Sequence, residues 1–136
     1  MSDAEPTAAL AMQPLPQGLI NLADHEAHAK TVLSDNAWAY FSGGAADEHT
    51  LRANKAAWDR LLLSPRVLRP LAGGHTRVGL LGRTLEHPIL LAPIAYQRMA
   101  HADGEIATAH AASALGAGMV LSTQASMLLE SVARAF

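Results

Sequence analysis

The segment from Pro88 to Met99 constrains the fold of this chain more than any other. Ile89, Leu90 and Leu91 form an apolar run without polar alternation, closed by Pro88 and Pro93. A short apolar run between breakers predicts a strand over Ile89–Ala92 buried on both faces, as in a parallel sheet. Pro93 ends it, because proline offers no N–H to a ladder. Ile94, Ala95 and Tyr96 then fall just past the carboxyl end of the strand, where α/β architectures bind their ligands.

The residues before this strand read as a helical preface. Asn21 can cap a helix running to about Leu33, with Asp24 in the capping-box position and Leu22, Ala29 and Leu33 on one face. Ser34 can cap a second, short helix carrying Trp38, Tyr40 and Phe41. Gly43 and Gly44 stop it through the left-handed conformation that glycine tolerates. Asp47 can cap a third helix whose buried stripe is Leu51, Trp58 and Leu62. Ser64 to Gly74, with Pro65, Pro70 and a glycine pair, is an extended connection. Arg77–Leu81 and Arg83–Glu86 flank Gly82 and predict a small hairpin.

The residues after the strand repeat one unit. Asp103 starts a helix with Glu105 in its first turn, where the helix dipole favours an acid. Ile106, Ala109, Ala112 and Leu115 give its inner face, and Gly116 ends it. Met119 to Leu121 form a second buried strand. Ser126 caps a last helix containing Leu128, Leu129 and Val132. The two strands start about 30 residues apart, the size of one βαβ step. Alternating elements and short loops predict an α/β chain with a parallel sheet. A closed eight-fold barrel needs about 250 residues, so two units give only its beginning, and the chain reads as the front part of a larger protein.

Composition excludes several classes. The formal charge of −2 with mixed signs gives no basic footprint for nucleic acid. The chain has no cysteine, which excludes disulfides, thiolate chemistry and cysteine-bound zinc. No apolar stretch reaches the roughly 20 residues of a membrane span. Asp3 and Glu5 replace the basic start of an export signal, so a cytoplasmic protein is the default expectation. Residues 1–18 are rich in Ala and Pro without periodicity and read as a disordered leader ahead of a 19–136 unit.

Other signals fail. His25-Glu-Ala-His28 lacks the spacing that sets two zinc-protease histidines at i and i+4, and no metal site is expected. Gly116-Ala-Gly118 follows a helix and precedes a strand, the reverse of a dinucleotide fingerprint. His101 and Asp103 could form a dyad but read better as the start of a helix.

Seven pieces stand in a telling order: Ala-Tyr-Phe-Ser-Gly-Gly-Ala (39–45), Asp-Glu-x-Thr-Leu-x-x-Asn (47–54), Pro-Arg-Val-Leu (65–68), Ala-Pro-Ile-Ala-Tyr-Gln-Arg-Met-Ala-His (92–101), Gly-Glu-x-x-x-Ala-x-Ala-Ala (104–112), Leu-Ser-Thr (121–123) and Glu-x-Val-Ala (130–133). Each is weak alone. Together the chain from about residue 20 resembles the FMN-dependent 2-hydroxy-acid oxidase/dehydrogenase family, which includes glycolate oxidase, lactate oxidase, mandelate dehydrogenase and hydroxymandelate oxidase.

The resemblance implies a TIM (β/α)8 barrel, of which this chain holds the N-terminal helices and the first two βα units. It implies FMN as cofactor and a homotetramer. It also implies oxidation of a small (S)-2-hydroxy acid to the 2-oxo acid, with hydride passing to flavin N5 and electrons on to oxygen or another acceptor.

Residue by residue, Tyr40 matches the tyrosine whose hydroxyl binds the substrate carboxylate. On the residues alone it reads rather as an interfacial tyrosine with a solvated hydroxyl. Pro93, Ile94 and Ala95 match the segment whose backbone lies along the flavin ring. Without the resemblance they are an ordinary strand end. Ser122 matches a serine that contacts FMN, against the plain reading of a loop cap. Tyr96 and Gln124 match positions beside the substrate pocket. Gln124 departs from family members that carry an aromatic there.

The catalytic histidine base, the carboxylate-clamping arginines and the FMN-phosphate site have no counterpart among these residues. The chain alone is therefore expected to be inactive and to bind FMN poorly. Two other readings stand beside this one: another FMN barrel enzyme, such as one resembling type 2 isopentenyl-diphosphate isomerase, and a non-catalytic truncated module.

Overall fold

The computed structural model describes residues 14–136, so most of the expected 1–18 leader lies outside the described residues. The order of elements is α1 (Leu22–Val32), α2 (Asp35–Ser42), α3 (His49–Asp59), β1 (Val78–Leu80), β2 (Arg83–Leu85), β3 (Leu90–Leu91), a 3-10 turn (Gln97–Met99), α4 (Gly104–Ala114), β4 (Gly118–Met119) and α5 (Leu129–Ala135).

The preface helices form for local reasons. Asn21 and Asp24 make a complete capping box on α1: each side chain accepts from the other's backbone N–H. Ser34 Oγ accepts from Ala37 N at the start of α2. Gly43 stops α2, but not in the left-handed conformation expected. Its φ is −78° and its ψ 154°, so the chain leaves extended. A Cβ there would lie 2.6 Å from Ala39 O, and the missing side chain, not a positive φ, makes this glycine necessary.

Asp47 does not cap α3. The cap is Glu48, at φ 57°, whose carboxylate turns back to accept from Gly44 N while Asp47 O accepts from Arg52. The expected buried stripe of α3 is absent as well. Leu51 is half-buried, Trp58 is 75% exposed, and Leu62 lies beyond the helix and is exposed. On α1, Leu22 is likewise exposed. A single exposed ion pair, Lys55 Nζ to Glu26 at 2.9 Å, links α3 to α1. Between α3 and β1 the chain has no helix or strand, but it is not extended throughout as expected: it bends at Leu68 (φ 57°) and turns at Gly73 (φ 74°), where Gly74 N bonds Leu71 O.

The hairpin holds. β1 and β2 pair antiparallel, Gly79 opposite Thr84, around a two-residue turn of Leu81 (φ 50°) and Gly82 (φ 75°). Both positive φ values are those of the turn whose twist matches a two-residue hairpin.

The βαβ unit also holds. β3 and β4 pair parallel, Leu90 with Gly118 and Leu91 with Met119, and α4 makes the crossover. Gly116 (φ 64°) ends α4, with Ala117 N bonding Ala112 O and Gly116 N bonding Ser113 O. This pair of bonds defines the Schellman motif.

Two expectations change here. β3 spans Leu90–Leu91 and not Ile89–Ala92, and it is not buried on both faces: Ile89 is 64% exposed. The ladder ends where partners end, because β4 is its one neighbour among the described residues. Leu115 is exposed too, because it caps α4 beyond the face that Ala109 and Ala112 bury. The tightly packed centre is small: Ala109, Ala112, Ala117 and Val132, with Ala37 from α2 and one charged residue, Glu105.

Candidate functional site

The parallel pairing places two loops side by side at the carboxyl ends of β3 and β4. Val120 N bonds Leu91 O, which carries the ladder one step past the strands. The chain then leaves as Ala92–Tyr96 on one side and Leu121–Ala125 on the other. They meet again where Tyr96 N donates to Gln124 O at 3.1 Å. Within the second loop, Ser122 Oγ accepts from Gln124 N at 3.1 Å, which leaves the serine O–H free to donate outward.

The helical preface reaches this rim. The rings of Tyr40, on α2, and Tyr96 are 5.9 Å apart between centroids, and Phe41 packs edge-on to Tyr40 at 5.2 Å. A cleft of about 310 Å³ runs between α2 and α4, with Phe41 and Ile94 on its walls. The structure therefore brings together Tyr40, Tyr96, Gln124 and Ser122, with Pro93, Ile94 and Ala95 leading into Tyr96. Tyr40, Ile94 and Tyr96 keep 46%, 50% and 41% of their surface exposed, so the rim is open to a ligand.

Tyr96 is the strained member. Its φ of 53° and ψ of 42° are left-handed, a conformation that costs a non-glycine residue about 1–2 kcal/mol. Two hydrogen bonds flank it. Its own N–H bonds Gln124 O, and the next N–H, on Gln97, bonds Glu105 Oε1 at 3.2 Å. A net contribution of about 0.5–1.5 kcal/mol per bond is enough to hold this conformation.

Glu105 is the residue that sequence reasoning missed. An acid in the first turn of a helix is expected to face water and the dipole. Here it is fully buried. Its Oε1 accepts from Gln97 N and from Ser126 N at 2.8 Å, one from each strand-end loop. Oε2 is buried without a partner among the described residues.

Ser126, expected to cap α5, instead accepts on its Oγ from Arg98 N, and α5 starts at Leu129 behind Leu128, which gives no side-chain cap. Gln97 adds a third tie: Thr108 Oγ1 donates to its Oε1 at 2.6 Å, and its Nε2 reaches Ile94 O at 3.5 Å. The available signal was Gly104-Glu105. The glycine has φ 47°, and a Cβ on it would meet Arg98 Cγ at 2.7 Å, so the start of α4 lies directly on the 3-10 turn. His101 and Asp103 lie 3.6 Å apart ahead of that helix, His101 exposed and Asp103 half-buried, with Asp103 at the N-cap but making no side-chain cap bond.

Chemically the rim is apolar surface with neutral donors. Segments 93–96 and 122–124 contain no charged residue. Backbone, Ser122 hydroxyl and two phenols suit a flat uncharged ring and a small anion oriented by hydrogen bonds. Among the described residues no group of three His, Asp or Glu could hold a metal ion, and no helix is long and apolar enough to cross a membrane. A second cavity, of about 300 Å³, lies under the hairpin between Leu80, Leu85, Leu90 and Met119. Arg83, Thr84 and Ser113 also line it, but it shares no lining residue with the cleft beside Phe41 and Ile94 and none of the rim residues reaches it.

Residues 29–136 match the family model described as FMN-dependent dehydrogenase. The chain is 46% identical to an L-lactate oxidase of Alicycliphilus denitrificans over 121 residues, 89% of this chain and 33% of the relative. It is 45% identical to 2-hydroxyacid oxidase 1 of Homo sapiens, over 86% of this chain and 32% of that protein. A crystal structure of mandelate oxidase with 3,3-difluoro-2-hydroxy-3-phenylpropionic acid superposes with a TM-score of 0.81 at 38% identity, covering 84% of this chain and 34% of the other. The chain thus spans about a third of the length of the relatives it matches. The family match over residues 29–136, with 46% identity to a relative over 89% of the chain, shows that this chain belongs to the FMN-dependent dehydrogenase family.

Proposed function

We propose that this chain supplies the N-terminal part of an enzyme that oxidises a small (S)-2-hydroxy acid to the 2-oxo acid with FMN. The observation that carries the reading is the Tyr40–Tyr96–Gln124–Ser122 rim at the ends of two parallel strands. In this reading β3–α4 and β4–α5 are the first two units of a TIM (β/α)8 barrel, and α1–α3 close over its mouth. Residues 19–136 form one unit with the barrel, which assembles as a homotetramer in the cytoplasm.

The roles follow from the chemistry of each group. Pro93, Ile94 and Ala95 present apolar surface and backbone to one side of the flavin ring, and small Ala95 leaves the ring room. Ser122 donates its O–H to the cofactor. Tyr40 donates its phenol to the substrate carboxylate, orienting the anion without adding a permanent charge. Tyr96 and Gln124 wall the substrate pocket, and the flexible polar Gln124 leaves it roomier than an aromatic ring would. When bound, FMN supplies a two-electron acceptor, which none of these side chains can provide. The proton-accepting histidine and the cations for carboxylate and phosphate are assigned to no residue of this chain.

The test is anaerobic mixing of the full-length protein with (S)-lactate, glycolate or (S)-mandelate. Bleaching of the flavin absorbance near 450 nm by at least one of them is expected, on the order of the usual enzyme rates of 1–10³ per second. Absence of a bound flavin, or no bleaching by any 2-hydroxy acid, would overturn the proposal. The isolated 136-residue chain is expected to show no turnover and weak FMN binding.

A further inference from the structure

We infer that Glu105 is the positioning residue for Tyr96 and for the rim as a whole. The inference rests on the reading of that rim as the flavin and substrate site. The N–H of Gln97 belongs to the peptide plane that follows Tyr96, so whatever holds this N–H fixes ψ of Tyr96. Glu105 Oε1 holds it at 3.2 Å, and the same oxygen holds Ser126 N at 2.8 Å. One atom on α4 therefore sets the orientation of a left-handed tyrosine and ties it to the loop that carries Ser122 and Gln124.

Parallel ties support the same join: Tyr96 N to Gln124 O, and Arg98 N to Ser126 Oγ. Those two join the loops to each other. From α4, Thr108 also holds the side chain of Gln97, but among the described residues Glu105 is the one α4 side chain that bonds both loops. The side chain does not serve its own helix, since both donors lie outside α4. Burying a carboxyl group with a partnerless Oε2 is unfavourable, and an apolar residue would fill the space at less cost. What an apolar residue cannot do is accept from two loops at once.

The experiment is a pair of substitutions in the full-length protein, Glu105→Met and Glu105→Gln. Methionine keeps the unbranched shape and removes the acceptor, whereas glutamine keeps an oxygen at the Oε1 position. Glu105→Met is expected to keep the helical circular-dichroism signal, weaken FMN binding by about tenfold or more, and speed amide exchange of Gln97 and Ser126 together by a similar factor. Glu105→Gln is expected to bring the FMN dissociation constant back within about threefold of wild type, with both amides exchanging only a few-fold faster because the acceptor is neutral.

Wild-type FMN affinity and exchange in Glu105→Met, or no rescue by Glu105→Gln, would overturn the inference. Should Glu105→Met fail to fold, exchange in Glu105→Gln decides. Joint acceleration at residues 97 and 126 supports the clamp, and unchanged rates or acceleration of only one refutes it. A wild-type protein that binds no FMN would refute the site reading instead, and the exchange measurement would still test the clamp.

Discussion

Replacing Gly104 by alanine strikes the junction on which the rim is built. Gly104 has φ 47°, and a Cβ there would sit 2.7 Å from Arg98 Cγ and 3.5 Å from Arg98 N. The left-handed conformation costs an alanine about 1–2 kcal/mol. Cγ is the middle of a side chain and not its free end, so Arg98 must re-rotate or the 3-10 turn must shift, an overpacking cost of about 1–3 kcal/mol. Part of this relaxes, and the sum expected for Gly104→Ala is a loss of about 2–4 kcal/mol.

Gly79 is the control, because a Cβ on it meets nothing within 4 Å and its φ is not positive. Gly79→Ala should be neutral or gain up to about 1 kcal/mol through the unfolded state. Urea titrations followed by circular dichroism give both values from the midpoint at constant slope. If Gly104→Ala stays within about 0.5 kcal/mol of wild type, the close packing of α4 on the Gln97–Met99 turn is wrong.

Tyr40→Phe should raise KM for the 2-hydroxy acid by about ten- to a hundredfold, the worth of one hydrogen bond to an anion, while the FMN dissociation constant holds within about twofold. Steady-state kinetics beside flavin titration separates the two effects. Asn21→Ala and Ser34→Ala should each cost about 1 kcal/mol in urea titrations, because each removes an observed cap. Leu81→Asn should raise the stability by about 0.5–1 kcal/mol in urea titrations, since asparagine tolerates φ 50° at the hairpin turn and an exposed leucine is lost. Lys55→Ala should change stability by less than about 1 kcal/mol, as expected for an exposed ion pair.

Local signals in the sequence translated well, and long-range ones did not. The Asn21 capping box, the Ser34 cap, the Leu81-Gly82 hairpin and the Gly116 stop each depend on atoms within a few residues, and each stands where the residues put it. The βαβ step was legible from its spacing and appears as the parallel Leu90–Gly118 pairing.

The exposure of Ile89, Trp58 and Leu62 was not legible. Apolar periodicity marks a face that wants cover, and it says nothing about whether the cover lies within these residues. Ser126 misled for a related reason: a residue with a cap-forming side chain can spend it on another segment, and Ser126 spends its hydroxyl on Arg98, 28 residues away. At Asp47 the helix simply starts one residue later, behind Glu48. Glu105 was hidden by the same ambiguity, since helix-dipole reasoning and a buried inter-loop bridge call for the same residue type. Resemblance gave the rim residues before any coordinate did, and their adjacency through Tyr96 and Gln124 is the part that only the fold supplies.

The most direct measurement of the central claim is a crystal structure of the full-length protein with FMN and a 2-oxo acid bound. The account predicts the flavin ring lying along the backbone of 93–95, Ser122 Oγ within hydrogen-bond distance of the cofactor, and the Tyr40 hydroxyl on the ligand carboxylate. A flavin bound away from the ends of β3 and β4, or a carboxylate held with Tyr40 turned to solvent, would contradict it.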